Sequence, residues 1–230
     1  MGKEYVRDMS VFSATSIPQD VVIADDFEDF FKWTAGGTSG KIVEKSQEYV
    51  LDKNYSMKLG TPTTTPTTGQ WAQAWRGIAQ SARNKLEISL YFLTTTDADY
   101  DLEIKLAFST IGQLGTCNYF RILLESRPST SANTIKIYTT GGTYETILAT
   151  DLYLQNGIGW SKIVLLIDVL KNEYVSLAMN NYLIDLYGKK AVTGISDSIT
   201  ESDVYLRLTT KQNAQTLTYI DNFLVRGVEI

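Results

Sequence analysis

The chain has 230 residues, a formal net charge of −5, no histidine and one cysteine. Without histidine, a site that relies on a His general base is excluded, and the commonest transition-metal ligand is missing. The single Cys117 excludes an intrachain disulfide, and the acidic balance without a basic run argues against a nucleic-acid partner.

Residues 1–20 predict an N-terminal arm in front of a folded domain. They mix charged and apolar residues without a period and close with Pro18. Neither a secretory signal nor a membrane-spanning stretch is predicted, so we expect a soluble chain with no membrane partner, placed in a virion or at a cell surface. The arm is too apolar for a solvating tail, which predicts partner-binding residues at Tyr5, Val6, Met9 and Phe12.

From Val21 onward, short alternating apolar runs are separated by Gly, Asn, Asp and Thr clusters, a spacing that predicts strands. Between Tyr100 and Phe108, apolar side chains share one face, while Asp101, Glu103 and Lys105 share the other. The predicted strands are 21–27, 41–50, 56–59, 77–80, 86–94, 100–109, 119–125, 134–139, 143–150, 161–169, 173–180, 182–186, 203–209 and 219–228.

The segment from Thr61 to Gly69 is rich in Thr and Pro and is predicted to be a long surface loop. Pro62 and Pro66 cannot donate to a strand ladder, and the alternation resumes after the loop. Residues 21–230 are therefore predicted to form one all-β domain, a two-sheet antiparallel jelly-roll sandwich.

Three segments carry a family resemblance. They are Asp26-Phe-Glu-Asp29 with Trp33 and Asn54-Tyr-Ser-Met-Lys-Leu59; Trp160-Ser-Lys-Ile-Val-Leu-Leu-Ile-Asp168 with Asn172-Glu-Tyr174 and Met179-Asn-Asn181; and Tyr219-Ile-Asp-Asn-Phe-Leu-Val225. Together they resemble the concanavalin A-like and laminin-G-like jelly rolls and the related sandwiches of carbohydrate-binding modules.

This resemblance implies one cofactor at most, a structural calcium ion. In several carbohydrate-binding families an opening Glu and a closing Asp hold Ca²⁺, and Glu28 and Asp221 are the matching residues here. The alternative is that Glu28 is a turn residue and that Asp221 forms local hydrogen bonds beside Asn222.

Two groups of side chains indicate sugar chemistry. Trp71, Gln73 and Trp75 predict a platform for a glycan, with the alternative that both rings cover the core edge. The segment from Asp97 to Glu103 resembles the catalytic strand of laminarinase-type glycoside hydrolases, in which two carboxylates cooperate, here Asp99 or Asp101 with Glu103. That family opens the strand with a Glu where this chain has Asp99, and a solvated strand face explains the same residues.

No catalytic set stands out, so the sequence predicts that the chain is not an enzyme. The first hypothesis is a structural protein of a larger assembly, such as a capsid decoration, minor capsid or tail protein, that forms homo-oligomers or binds other subunits. A carbohydrate-binding module with a glycan partner is the alternative, and a glycoside hydrolase ranks third.

Overall fold

The structure is a computed structural model that describes residues 21–78, 84–109, 116–149, 159–195 and 202–229. These residues form strands and no helix, so none of them lies in a helix able to cross a membrane. The strands are β1 (Val21–Asp25), β2 (Thr34–Gly37), β3 (Ile42–Ser46), β4 (Ser56–Gly60), β5 (Trp71–Ile78), β6 (Lys85–Thr94), β7 (Tyr100–Ser109), β8 (Thr116–Ser126), β9 (Thr134–Thr139), β10 (Thr143–Ala149), β11 (Ser161–Asp168), β12 (Glu173–Met179), β13 (Tyr182–Lys190), β14 (Val192–Ile195), β15 (Ser202–Thr210) and β16 (Leu217–Val228).

The strands pair into two antiparallel sheets of eight. The first has the order β13-β12-β11-β6-β16-β4-β3, and β1 pairs with β16 as well. The second has the order β10-β9-β8-β7-β15-β5-β2, and β14 pairs with β8 as well. Hairpins such as β11-β12-β13 and β7-β8-β9-β10 join neighbours along the chain, whereas β6 with β16 and β7 with β15 pair distant parts of it, as in a jelly roll. The predicted all-β, two-sheet antiparallel class is confirmed.

One apolar cluster joins the inner faces of both sheets. In β7 the side chains of Leu102, Ile104 and Leu106 are buried, and the intervening residues point away from the core. The first sheet contributes side chains such as Leu90 and Leu165 to the same cluster. Because each strand gives alternate residues to this core, its other residues are available at the surface.

Predicted strands differ from the observed ones where alternation is weak. The predicted strand 77–80 is in fact the end of β5, which begins at Trp71, and Gln80 lies outside the described residues. β2 and β14 were not predicted, because short segments such as Thr-Ala-Gly-Gly show no apolar alternation. β13 runs on to Lys190 beyond the predicted end at 186, although most of its side chains are exposed.

Backbone and side-chain hydrogen bonds fasten both ends of the Thr/Pro loop to the turn between β15 and β16. Thr61 is buried, and it exchanges hydrogen bonds with Thr216 through its N–H (3.0 Å) and its Oγ1 (2.9 Å). At the other end, the Thr68 N–H donates to Asn213 at 3.1 Å. Between them, residues 63–65 are exposed.

A protease cut within residues 63–65 should therefore leave the two fragments associated. Strands on the two sides of the cut pair with each other, β4 with β16 and β2 with β5, so neither fragment can bury its apolar face alone. We expect the nicked protein to elute as one species and to unfold in a single thermal transition. Release of two fragments that each keep a folded core would contradict the proposed single domain.

Candidate functional site

The outward face of the second sheet forms a groove across four neighbouring strands. β15 lies between β5 and β7, and β7 pairs with β8, so residues that face each other across the ladders form rows. The first row is Trp75, Tyr205, Lys105 and Arg121, and the second is Gln73, Arg207 and Glu103. The groove has a volume of about 260 Å³ and is lined by Gln73, Glu103, Lys105, Arg121, Tyr205 and Arg207.

Lys105 lies in the groove between two aromatic rings. Its Nζ is 4.6 Å from the ring centre of Tyr205 and 4.9 Å from that of Tyr119. Burial and then the nearby positive charge of Arg121 lower the pKa of Lys105. Glu103 and Asp203 act on its charge from a distance, and no ion pair of its Nζ is found among the described residues, where the two rings are its direct contacts.

Arg207 is held by an aromatic ring instead of an acid. It lies directly across the ladder from Glu103, yet its guanidinium packs 4.4 Å from the ring centre of Trp71. Its Nε is buried and makes no hydrogen bond within the described part of the chain. The groove therefore contains a cation that an aromatic ring, and no carboxylate of the described residues, holds in place.

Glu103 is the acid of the groove, and it has two partners. It accepts a hydrogen bond from the Tyr144 hydroxyl at 2.7 Å, and Arg121 lies 3.7 Å away. The Arg121 guanidinium also lies 4.8 Å from the ring centre of Tyr138. Glu103 is thereby drawn towards β8 and β10 and away from Arg207.

Two rings border the groove on the side of β5. The rings of Trp75 and Tyr205 are nearly parallel, at 26° and 6.3 Å between centres. The Tyr205 hydroxyl donates to Asp203 at 3.3 Å, and burial, together with that carboxylate, raises the pKa of Tyr205 to about 12. A neutral phenol is therefore present here across the physiological pH range.

The structure places the three residues of the predicted glycan platform on the outward face of β5. Trp71, Gln73 and Trp75 are half-buried, while Ala72 and Ala74 between them are fully buried. Gln73 lines the groove, and the two tryptophans contact Arg207 and Tyr205 respectively.

A tyrosine from the first sheet supports the groove from beneath. Tyr174 of β12 is fully buried, and its hydroxyl accepts the Arg121 N–H at 2.8 Å. The same hydroxyl lies 3.0 Å from the carbonyl oxygen of Tyr138 on β9. These contacts fix the backbone of β8 and β9 below the side chains of Arg121 and Tyr138.

The carboxylates that resemble a hydrolase pair are not equivalent. Asp101 is mostly buried and is bound by Arg127 at 2.6 Å and Lys211 at 2.8 Å. Asp99 accepts hydrogen bonds from Ser129. Glu103 is the only carboxylate among the described residues that line the groove. This arrangement gives no support to two-carboxylate hydrolysis by Asp101 and Glu103.

The predicted calcium ligands hold one loop through N–H groups. Glu28 accepts the N–H groups of Asn54 (2.8 Å) and Tyr55 (2.9 Å), and Asp221 accepts that of Leu51 at 3.0 Å. Ca²⁺ takes about six to eight oxygen ligands, whereas these carboxylates face N–H donors. No group of three or more acidic, His or Cys side chains suited to a metal occurs in the described ranges. The structural calcium ion at Glu28 and Asp221 stays a prediction that this donor set does not favour.

Several site residues were missed by sequence reasoning, and the predicted arm is not described. Lys105, Arg121, Tyr205 and Arg207 lie in predicted strands, and alternation alone assigns them to the outward face. Which strands become neighbours could not be predicted in this way.

The predicted partner-binding residues Tyr5, Val6, Met9 and Phe12 lie outside the described residues.

Comparison with known proteins establishes the fold. No protein-family model matches the chain, and no curated protein matches it in sequence. Among solved structures, an endo-β-1,4-glucuronan lyase of the fungus Trichoderma reesei is similar, with a TM-score of 0.56, 11% identity, and coverage of 85% of this chain and 91% of that one. The potassium-bound carbohydrate recognition domain of Emp46p is similar with a TM-score of 0.56 and 15% identity, and the match covers 92% of this chain and 96% of that domain. A carbohydrate esterase of the Shiga toxin-encoding bacteriophage phi24B is similar with a TM-score of 0.51 and 13% identity, and the match covers 86% of this chain and 90% of that one.

These likenesses confirm that the chain folds as a concanavalin A-like jelly-roll sandwich. They also contradict the prediction that the chain is not an enzyme. The lyase and the esterase show that enzymes are built on this fold, so the lack of a recognisable catalytic set in the sequence does not exclude catalysis.

Asp221 provides a test of how the loop at residues 51–55 is held. Burial raises the pKa of Asp221 to about 6, against the opposing effect of its N–H donors. Since the folded state keeps this proton longer than the unfolded chain, its contribution to stability is full below about pH 4 and is lost as the pH rises through about 6. We expect the free energy of unfolding of the wild type, relative to Asp221→Asn, to fall by about 1–3 kcal/mol between pH 4 and pH 7.

Urea unfolding of both proteins across this pH range measures the difference, in which the titration of all other carboxylates cancels. Parallel pH profiles for the two proteins would contradict the assignment. The same measurement in excess chelator tests the calcium hypothesis, because a bound ion raises the stability of the folded state only.

Proposed function

We propose that this chain is a carbohydrate-active protein that binds a polysaccharide along the groove on the second sheet. The observation that carries the proposal is the arrangement of the two rows. They place aromatic rings beside hydrogen-bonding side chains on one outward sheet face, at Trp75, Tyr205, Gln73 and Arg207.

This combination suits the two kinds of surface that a sugar presents. The C–H faces of a sugar ring pack on aromatic rings, and its hydroxyl groups need donors and acceptors at fixed positions. Trp75 and Tyr205 supply adjacent rings, while Gln73 supplies both a donor and an acceptor. A groove that crosses several strands also suits an extended chain of sugars.

A glycine lies next to the proposed platform at the β2 edge of the second row. Gly36 is paired with Gln73 and thereby extends the second row. A Cβ at Gly36 would lie 3.8 Å from the Trp71 ring and 3.9 Å from Gln73. The missing side chain leaves space beside both residues of the proposed platform.

The similar structures support sugar chemistry as the class of function. They include an enzyme that acts on glucuronan, a carbohydrate recognition domain and a carbohydrate esterase. The support is an analogy at the level of the fold. Glu103, Lys105 and Tyr205 are groove groups able to exchange a proton, so the proposal covers cleavage of the bound sugar as well as binding.

Removal of groove side chains should weaken binding of the polysaccharide. We expect Gln73→Ala and Trp75→Ala each to lower the affinity by about 5-fold or more, since each removes a contact to hydroxyl groups or to a ring face. Affinity electrophoresis against a panel of neutral and acidic polysaccharides measures this, and the chain length of the polymer after incubation reports cleavage.

The matched control is Tyr187→Ala, which removes an exposed aromatic ring from β13 of the first sheet. This variant should bind as the wild type does. If the panel shows no binding at all, or if Tyr187→Ala loses as much affinity as Trp75→Ala, the groove is not the binding site.

The assembly hypothesis rests on the arm at residues 1–20, and it stays a prediction. If the chain is a virion component, deletion of residues 1–19 should weaken its self-association while the melting temperature of the domain changes little. Analytical ultracentrifugation of the two forms measures the association. Equal association of both forms would contradict a role of Tyr5, Val6, Met9 and Phe12 in partner binding.

A further inference from the structure

We infer that the polysaccharide bound in the groove is acidic, and that Arg207 and Lys105 are the residues that select its anionic groups. This inference rests on the proposed function and names its substrate class. It follows from the local charge of the groove and from the finding that neither cation forms an ion pair within the described part of the chain.

The charge of the groove is opposite to that of the chain. Its ionisable lining consists of Lys105, Arg121, Arg207 and one acid, Glu103, together with the neutral Tyr205. The complete chain carries a formal charge of −5. Cations gathered in a depression of an otherwise acidic protein create a local positive potential, which attracts an anion.

Arg207 differs from every other arginine that the structure describes. Arg76, Arg127 and Arg226 each lie within 3.0 Å of a carboxylate oxygen, and Arg121 lies 3.7 Å from Glu103. Arg207 has no such partner, even though Glu103 is its direct neighbour across the ladder.

The position of Arg207 matches the needs of an anion site. The Trp71 ring fixes the guanidinium at 4.4 Å, which removes much of the freedom that an arginine loses on binding. The buried Nε has no hydrogen-bond partner in the described ranges, which is also true of the Arg121 Nε, so the feature that distinguishes Arg207 is the missing carboxylate. A guanidinium can donate two parallel hydrogen bonds to a carboxylate or a sulfate.

Lys105 supplies the second charge. It lies on the row next to that of Arg207, and Tyr205 and Tyr119 hold its Nζ. Burial and Arg121 lower the pKa of Lys105 more than Glu103 and Asp203 raise it, so these carboxylates compensate its charge only in part. An anionic ligand between Arg207 and Lys105 would provide that compensation.

Glu103 determines on which side of the groove the anion binds. Its carboxylate faces Tyr144 and Arg121, so an anion close to it would be repelled. The favourable position therefore lies on the β15 side, where Gln73 can donate a further hydrogen bond.

The test compares three polymers with each protein: a polyuronate, a sulfated polysaccharide and a neutral β-glucan. We expect the wild type to bind at least one of the two acidic polymers more tightly than the neutral one, with an affinity that falls as salt is raised. Arg207→Gln and Lys105→Gln should each weaken binding of the acidic polymer by about 10-fold or more. Their effect on the neutral polymer should be much smaller.

Glu103→Gln should act in the opposite direction. It removes the negative charge but keeps an acceptor for Tyr144, so it should strengthen binding of the acidic polymer and leave the neutral polymer unchanged. The control Lys171→Gln removes one positive charge from the exposed turn between β11 and β12. It should bind each polymer as the wild type does, which would show that the loss of one positive charge outside the groove does not weaken binding.

The outcomes distinguish the inference from the proposed function. Binding of the β-glucan that exceeds binding of both acidic polymers, with Arg207→Gln unchanged, would overturn the acidic substrate and leave a glycan-binding groove. Binding of none of the three polymers would overturn both. Preference for the polyuronate or for the sulfated polymer identifies the anionic group.

Discussion

The shared core between the two sheets is the constraint on which the rest of the structure depends. Each strand must give alternate side chains to it, and this fixes the face on which every other residue lies. In β7 the burial of Leu102, Ile104 and Leu106 leaves Glu103 and Lys105 on the outward face. A shift of the strand by one residue would place charges in the core and remove the groove at the same time. The strand register that buries the core is therefore the same register that forms the groove.

The core also transmits rigidity from one sheet to the other. Tyr174 extends from β12 through the core to the backbone of Arg121 on β8, and its ring contacts Phe120 edge-on at 5.3 Å. At the opposite side, Asp25 of β1 binds Arg76 of β5 at 2.9 Å and so joins the first sheet to the second. Polar bonds between the sheets thus lie near both flanks of the groove-forming strands, and apolar packing fills the space between them.

Local sequence patterns predicted the strands well, and the site only in part. Alternation identified β7, and it grouped Trp71, Gln73 and Trp75 as one surface, because both depend on neighbouring residues. Strand order depends on the packing of the whole chain, so the position of β15 between β5 and β7, which brings Arg207 beside Glu103, could not be predicted. Glu28 and Asp221 both accept N–H groups from residues 51–55, and the calcium ion that the resemblance implied for them stays a prediction. The pattern of carboxylates could not show which partners they would meet.

The contrast between an acidic chain and a cationic groove bears on which anions can bind. At physiological salt, charges separated by more than about 8 Å are largely screened, so a ligand inside the groove interacts mainly with Arg207, Lys105 and Arg121. A highly charged polymer such as a nucleic acid would place many further charges against the acidic surface outside the groove, where repulsion opposes binding. An acidic polysaccharide carries its charges at wider intervals and offers ring faces for Trp75 and Tyr205 between them. The combination of local cations, aromatic rings and overall negative charge therefore favours a sugar polymer over other polyanions.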